Sequence, residues 1–209
     1  MARGAAARLF VAVYPPAQAR EQLAEWARGV AAGIRAAGGT AGALRLLDPE
    51  LLHLTLCFLG SRPVGEIEPL ADALHSCVEH ACELSAGAPL WLPARRPRAL
   101  AVEVHDRTRE LTRMHEHVSQ ALAQASGWEP ERRRFRPHIT LARVRGRSID
   151  TRRRGFAGER HEHALPATPP LSFTPLEVVL YRSWLAPEGS SYEPLASASL
   201  MPAACENRL

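Results

Sequence analysis

Leu52-His53-Leu54-Thr55-Leu56 reads apolar-polar-apolar-polar-apolar, and Pro137-His138-Ile139-Thr140-Leu141 repeats the pattern later in the chain. A period of two is that of a strand with one buried face. Leu54, Leu56, Ile139 and Leu141 then point to a core. His53 and Thr55 share the opposite face, and so do His138 and Thr140. A core strand has no use for an imidazole beside a hydroxyl. Two strands that both carry them read as two halves of one site.

Working outward, residues 9–14 read as a strand stopped by Pro15-Pro16. Residues 18–37 read as a helix with Leu23, Trp26, Val30 and Ile34 on its inner side, ended by Gly38-Gly39. Strands follow at 43–47 and 53–59. A second helix is expected at 64–84, with Ile67, Leu70, Leu74 and Val78 inward. Residues 89–92 and 99–104 form a strand pair around a Pro-rich turn. A third helix at 108–125 ends at Gly127, and 138–144 is the second motif strand. Residues 146–170, rich in Arg, Gly, His and Pro, read as a mobile basic loop. Strands at 171–173, 177–183 and 192–200 complete the chain. Strands joined by helices indicate an α+β protein. The motif strands occupy similar strand–helix settings, which predicts a pseudo-duplicated, two-lobed fold. Its mostly antiparallel strands would line a central cleft, with helices outside. No linker is evident, so 8–200 is expected to be a single bilobal domain, with 1–7 and 201–209 as tails.

Composition narrows the chemistry. With 209 residues, 46% hydrophobic and 23% charged, the chain suits one globular, soluble unit. It shows no apolar run of membrane-span length and no signal-like apolar region, so a cytoplasmic location is expected. Cys57, Cys77, Cys82 and Cys205 lack zinc-type spacing and fit reduced thiols. The chain contains no lysine, and all 26 of its basic residues are Arg. A ligase that stores a nucleotide on a lysine amine is therefore excluded, as is a Gly-rich phosphate loop ending in Lys-Ser/Thr. Any ligation must draw its energy from the substrate, for example from a strained cyclic phosphate.

The basic residues are uneven. Arg132, Arg133, Arg134, Arg136, Arg143, Arg145, Arg147, Arg152, Arg153, Arg154 and Arg160 crowd the second motif, opposed there by Glu131, Asp150 and Glu159. Such a patch suits a polyanion. Aromatic residues are sparse, which argues against an extended single-strand stacking platform. No metal is expected. His115 and His117 lie two apart on a helix, on different faces. His161 and His163 stand in a loop without a third ligand, and paired carboxylates are missing.

Two histidines on one cleft suit phosphoryl chemistry without a cofactor. One neutral imidazole can take a proton from attacking water, and one protonated imidazole can give a proton to the departing oxygen. Thr55 and Thr140 stand on the same faces, placed to donate hydrogen bonds to the oxygens of the transition state. Arg136 and Arg143 flank the second strand and could clamp a phosphate. Phe58 stands at the same offset from His53 as Arg143 from His138. Strict alternation would turn both away from the histidine face, so each needs its strand to end or bulge first.

With their flanks, Arg45-Leu46-Leu47-Asp48-Pro49-Glu50-Leu51 before the first motif and Phe135-Arg136 before the second, the motifs resemble the 2H phosphoesterases. More closely, the chain is similar to the bacterial and archaeal RNA 2′,3′-cyclic phosphodiesterases, also called 2′-5′ RNA ligases. The likeness extends from 8–13, similar to that family's opening strand, to 178–183 and 192–195, similar to its closing hairpin. It departs at Leu46, where many relatives have Trp, and at Leu52, where many have Asn. The resemblance implies a 2H phosphoesterase-like fold, His53 as proton donor and His138 as acceptor, and Phe58 and Arg143 as base and phosphate contacts. It further implies a monomer acting on RNA with a 2′,3′-cyclic phosphate end, such as a tRNA fragment. The product would be a 2′-phosphomonoester, with 2′-5′ ligation as the reverse reaction. Two other readings stay open. One is a cyclic phosphodiesterase for a small nucleotide or an ADP-ribose cyclic phosphate. The other is a non-catalytic RNA-end-binding protein.

Overall fold

The computed structural model describes residues 5–37, 44–77, 79–94, 97–144, 165–186 and 189–201. Among the described residues nine strands form one sheet: β1 (Ala6–Val13), β2 (Leu44–Leu46), β3 (Leu54–Pro63), β4 (Leu84–Leu92), β5 (Ala99–His105), β6 (His138–Val144), β7 (Ser172–Phe173), β8 (Glu177–Ala186) and β9 (Gly189–Ser199). Three α-helices accompany them among the described residues: α1 (Ala17–Ala36), α2 (Ile67–Ser76) and α3 (Glu110–Ser126). The strand order is β7-β4-β5-β6-β3-β1-β8-β9, with β2 also paired to β6, and every pairing between these strands is antiparallel. Among the described residues no helix is long and apolar enough to cross a membrane.

The order makes the internal duplication visible. β1-α1-β3 and β5-α3-β6 are the same unit: two antiparallel neighbours with a helix between them. Each helix reaches across to the other half. α1 leaves β1 but packs on β2 and β6, while α3 leaves β5 and packs on β3 and α2. The two lobes therefore share their packing. Leu9, Val11 and Val13 of β1, Leu54 of β3, Ile139 of β6 and Leu111, Met114, Val118 and Leu122 of α3 belong to one core, each essentially without solvent exposure. Burial of each such side chain contributes roughly 1.5–3 kcal/mol. Polar ties fix α3 to β3. The Cys57 thiol and the Ser119 hydroxyl lie 3.2 Å apart, and the Arg62 guanidinium donates to the Ser126 carbonyl at the end of α3. Gly127 follows with φ 63°, donating its N–H to Ala123 in a left-handed cap that favours glycine.

Four expectations are corrected. Helix α2 stops at Ser76 instead of continuing to residue 84, because the chain after it has a better partner. Glu79 accepts from the Met201 N–H, Ala81 donates to the Met201 carbonyl, and His80 bridges Met201. This tertiary pairing overrides helix propensity. Leu84, expected on the helix, instead opens β4, is fully buried and pairs with Phe173; Val78 lies outside the described residues. The tails are shorter than expected. β1 takes in Ala6 and the buried Ala7, Ala5 accepts from the Val64 N–H, and Met201 is held by the pairing above. Finally, the end of the expected basic loop is pinned, with Trp26 donating to the Ala167 carbonyl and Thr168 to that of Gly87. Its remaining part, with His161, His163 and the arginines from Arg147 to Arg160, lies outside the described residues, as does Arg145 before it.

Candidate active site

The two motif strands meet at one paired position, Leu54 opposite Ile139. Antiparallel register carried one residue each way sets His53 across from Thr140 and Thr55 across from His138. The buried pair thus acts as a pivot with the four polar residues arranged around it. All four line one pocket of about 340 Å³, together with Leu47, Arg98, Arg143 and Tyr192.

The two imidazoles are held the same way. His53 Nδ1 lies 2.7 Å from the Leu51 carbonyl oxygen, and His138 Nδ1 lies 2.8 Å from that of Arg136. Since a carbonyl only accepts, Nδ1 carries the hydrogen in both rings. In each neutral ring Nε2 is then the basic nitrogen, and the tautomer is fixed by a backbone group two residues upstream.

A matched pair of bulges completes the repeat. In the β1–β3 ladder Ala12 pairs with Thr55 and Val11 with Cys57, so Leu56 is an extra residue. In the β5–β6 ladder Ala101 pairs with Thr140 and Leu100 with Ala142, so Leu141 is the extra residue. Both stand three positions after their histidine. A bulge resets which side later residues face. Leu56 and Cys57 are both buried, as are Leu141 and Ala142. Phe58 and Arg143 are thereby returned to the histidine side. Arg143 lines the pocket, and Phe58, 39% exposed, lines the adjoining groove beside Thr55. The Leu141 carbonyl accepts from the Leu47 N–H, which secures the second bulge from β2.

The lobes differ in what surrounds the rings. His53 sits among Phe10, Tyr14 and Tyr192, with ring centroids 5.0, 5.7 and 5.2 Å away, and Tyr192 meets it edge-on at 89°. Tyr181 stacks on Phe10 and contacts Tyr14, so all three tyrosines of the chain belong to this cluster. Burial among these rings lowers the His53 pKa to about 4, against the Leu51 hydrogen bond, which raises it; Arg143 and His138 lower it further. His53 is therefore neutral at neutral pH. Burial also raises the Tyr14 pKa far above its usual value, helped by Tyr181, so Tyr14 stays protonated.

Of the residues singled out in the sequence, His53, Thr55, His138, Thr140 and Arg143 come together in the pocket. Arg136 does not join them. Its guanidinium donates to Glu103 at 3.0 Å, and it lines the neighbouring groove. Sequence reasoning missed Arg98, just before β5, and the ring cluster. Phe10 and Tyr14 carried a signal, since both share the parity of the exposed Arg8, Phe10 within β1 and Tyr14 just after it. Arg98 carried none. Among the described residues no group of three His, Cys, Asp or Glu side chains could hold a metal ion.

Residues 13–87 and 102–192 match the family described as LigT like Phosphoesterase. Two curated relatives, each named RNA 2′,3′-cyclic phosphodiesterase, come from Bacillus subtilis (34% identity, covering 46% of this chain and 54% of the relative) and Geobacillus stearothermophilus (30%, covering 74% and 47%). The chain thus spans about half the length of the curated relatives it matches. Solved structures are matched more completely. TT0787 of Thermus thermophilus has a TM-score of 0.68 at 26% identity, and Escherichia coli LigT complexed with 3′-AMP has 0.65 at 27%. Each match covers 94% of this chain and 99% of the other. The duplicated antiparallel architecture and the family match over most of its length place the chain in the LigT-like phosphoesterase family.

Proposed function

We propose that this protein hydrolyses RNA 2′,3′-cyclic phosphate ends to 2′-phosphomonoesters without a metal ion. The observation that carries the reading is the matched pair of imidazoles. Each has Nδ1 tied to a carbonyl two residues upstream, and both line one pocket with two threonines and two arginines. The names of the relatives and the 3′-AMP complex of the E. coli structure support a ribonucleotide phosphate as the ligand class.

In this mechanism Arg143 and Arg98 hold the cyclic phosphate. His138 Nε2 takes a proton from water as the water oxygen attacks phosphorus. The P–O3′ bond breaks and His53 gives its proton to O3′, leaving phosphate on O2′. Thr55 and Thr140 donate to the equatorial oxygens as negative charge builds on them. The donor role comes from family resemblance, and burial of His53 works against it until a substrate phosphate is bound. A phosphate anion beside the ring offsets the repulsion from Arg143 and favours the imidazolium. His53 thus gains its proton together with the substrate. With an RNA 5′-hydroxyl attacking phosphorus in place of water, His138 takes the proton of that hydroxyl, the P–O3′ bond breaks, His53 protonates O3′, and a 2′-5′ linkage forms. The direct test is hydrolysis of a 2′,3′-cyclic phosphate oligonucleotide in chelator, with identification of the product isomer. A product bearing a 3′-phosphate would overturn the assignment of the broken bond.

A further inference from the structure

Beside the phosphate pocket runs a larger groove of about 640 Å³, and the two share Thr55, Leu92 and His138. Their linings differ in kind. The pocket presents imidazole, hydroxyl and guanidinium groups. The groove adds rings: Phe58, Trp128, and Phe135 stacked on His115 with centroids 4.1 Å apart and planes 6° from parallel. Arg133 and Arg134 also line it, together with Glu103 and Glu131.

We infer that this groove is a subsite for the nucleotide on the 5′ side of the cyclic phosphate end. Its base would stack against the Phe135–His115 pair, and its phosphodiester would be held by Arg133 and Arg134. The inference rests on the proposed function, and it deepens that reading by making the substrate an oligonucleotide.

Three observations support it. The groove opens directly from the pocket, so a chain whose terminal phosphate lies between the histidines is led into it. Parallel rings beside guanidinium groups are the combination that binds single-stranded RNA, with bases on π-faces and phosphates on Arg. The local chemistry is also settled in favour of this use. Burial lowers the His115 pKa, so the ring stacks as a neutral imidazole. Arg136 is already held by Glu103, so contact with a passing phosphate falls to its two neighbours.

The experiment compares kcat/KM for a mononucleotide 2′,3′-cyclic phosphate with that for the corresponding dinucleotide. Stacking of one base is worth roughly 1–3 kcal/mol, so the dinucleotide should be favoured about 5- to 150-fold. Phe135→Ala and, separately, His115→Ala should bring that ratio close to one, chiefly through KM for the dinucleotide, while Phe135→Trp should keep it. Thermal melting of each variant shows whether it has folded, and His115→Ala carries the test if Phe135→Ala has not. A wild-type ratio near one, or a ratio unchanged in His115→Ala, overturns the subsite. Failure to hydrolyse either substrate would instead overturn the proposed function, so the two failures are distinguishable.

Discussion

Leu54 lies directly opposite Ile139, and among the described residues this is the one paired position between the strands that carry the two histidines. Both side chains are buried in the shared core. The site therefore depends on an apolar contact that touches no substrate. Leu54→Ala should cost about 2–5 kcal/mol of stability, the usual result of emptying a packed leucine site. Turnover should also fall at temperatures where the variant remains folded, because the two halves of the site lose their common reference. Denaturant melts beside steady-state rates check this. Wild-type turnover in a destabilised variant would show that the pivot does not set the geometry of the site.

The ring cluster predicts an acid-labile fold. His53 has a pKa of about 4 in the folded protein against an ordinary 6.5. Between these values the unfolded chain binds the proton more readily, so falling pH favours unfolding. The contribution is fully present above about pH 6.5 and is lost as pH falls through about 4, amounting to roughly 1–3 kcal/mol. Stability measured against pH in wild type and His53→Asn should diverge in that window. Imidazole NMR gives the sharper check. His53 should titrate near 4 in the free protein and move upward with inorganic phosphate bound. Titration near 6.5 in the free protein would remove the burial argument.

Arg143 reaches the pocket only because of the bulge at Leu141. Arg143→Gln should raise KM for a cyclic phosphate about 10- to 100-fold, the loss expected for a hydrogen bond to a charged group. Arg136→Gln should leave KM for a mononucleotide substrate within a few-fold of wild type, since Arg136 is engaged by Glu103 outside the pocket. Equal effects from the two substitutions would mean that strand parity has been assigned wrongly.

Much of this was legible in the sequence. Alternation around His53 and His138 gave the strands, their buried faces and the pairing of His with Thr, because a period of two is a local property. Gly127 ended α3 as its chemistry requires. The bulges had a signal that alternation alone obscures: apolar doublets, Leu56-Cys57 and Leu141-Ala142, interrupt each strand at the same offset. What remained illegible depends on distant partners. Helix α2 ends where it does because residues 79–81 pair with Met201. The rings around His53 arrive from β1, β9 and the residue just after β1, and no window of sequence contains them together.

The central claim is that His53 and His138 divide a proton transfer between them without a metal ion. The most direct measurement is hydrolysis, in excess EDTA, of an RNA 2′,3′-cyclic phosphate and of a nitrophenyl phosphodiester whose leaving group needs no proton. On RNA, His53→Ala and His138→Ala should each lower turnover by roughly 10²–10⁴-fold, and the double variant should fall far short of the product of the two losses. On the nitrophenyl ester, His53→Ala should recover most of its activity while His138→Ala stays crippled. Recovery of His138→Ala instead would exchange the two roles. Near wild-type turnover of RNA by either single variant, or activity abolished by EDTA and restored by Zn²⁺ or Mn²⁺, would contradict the account.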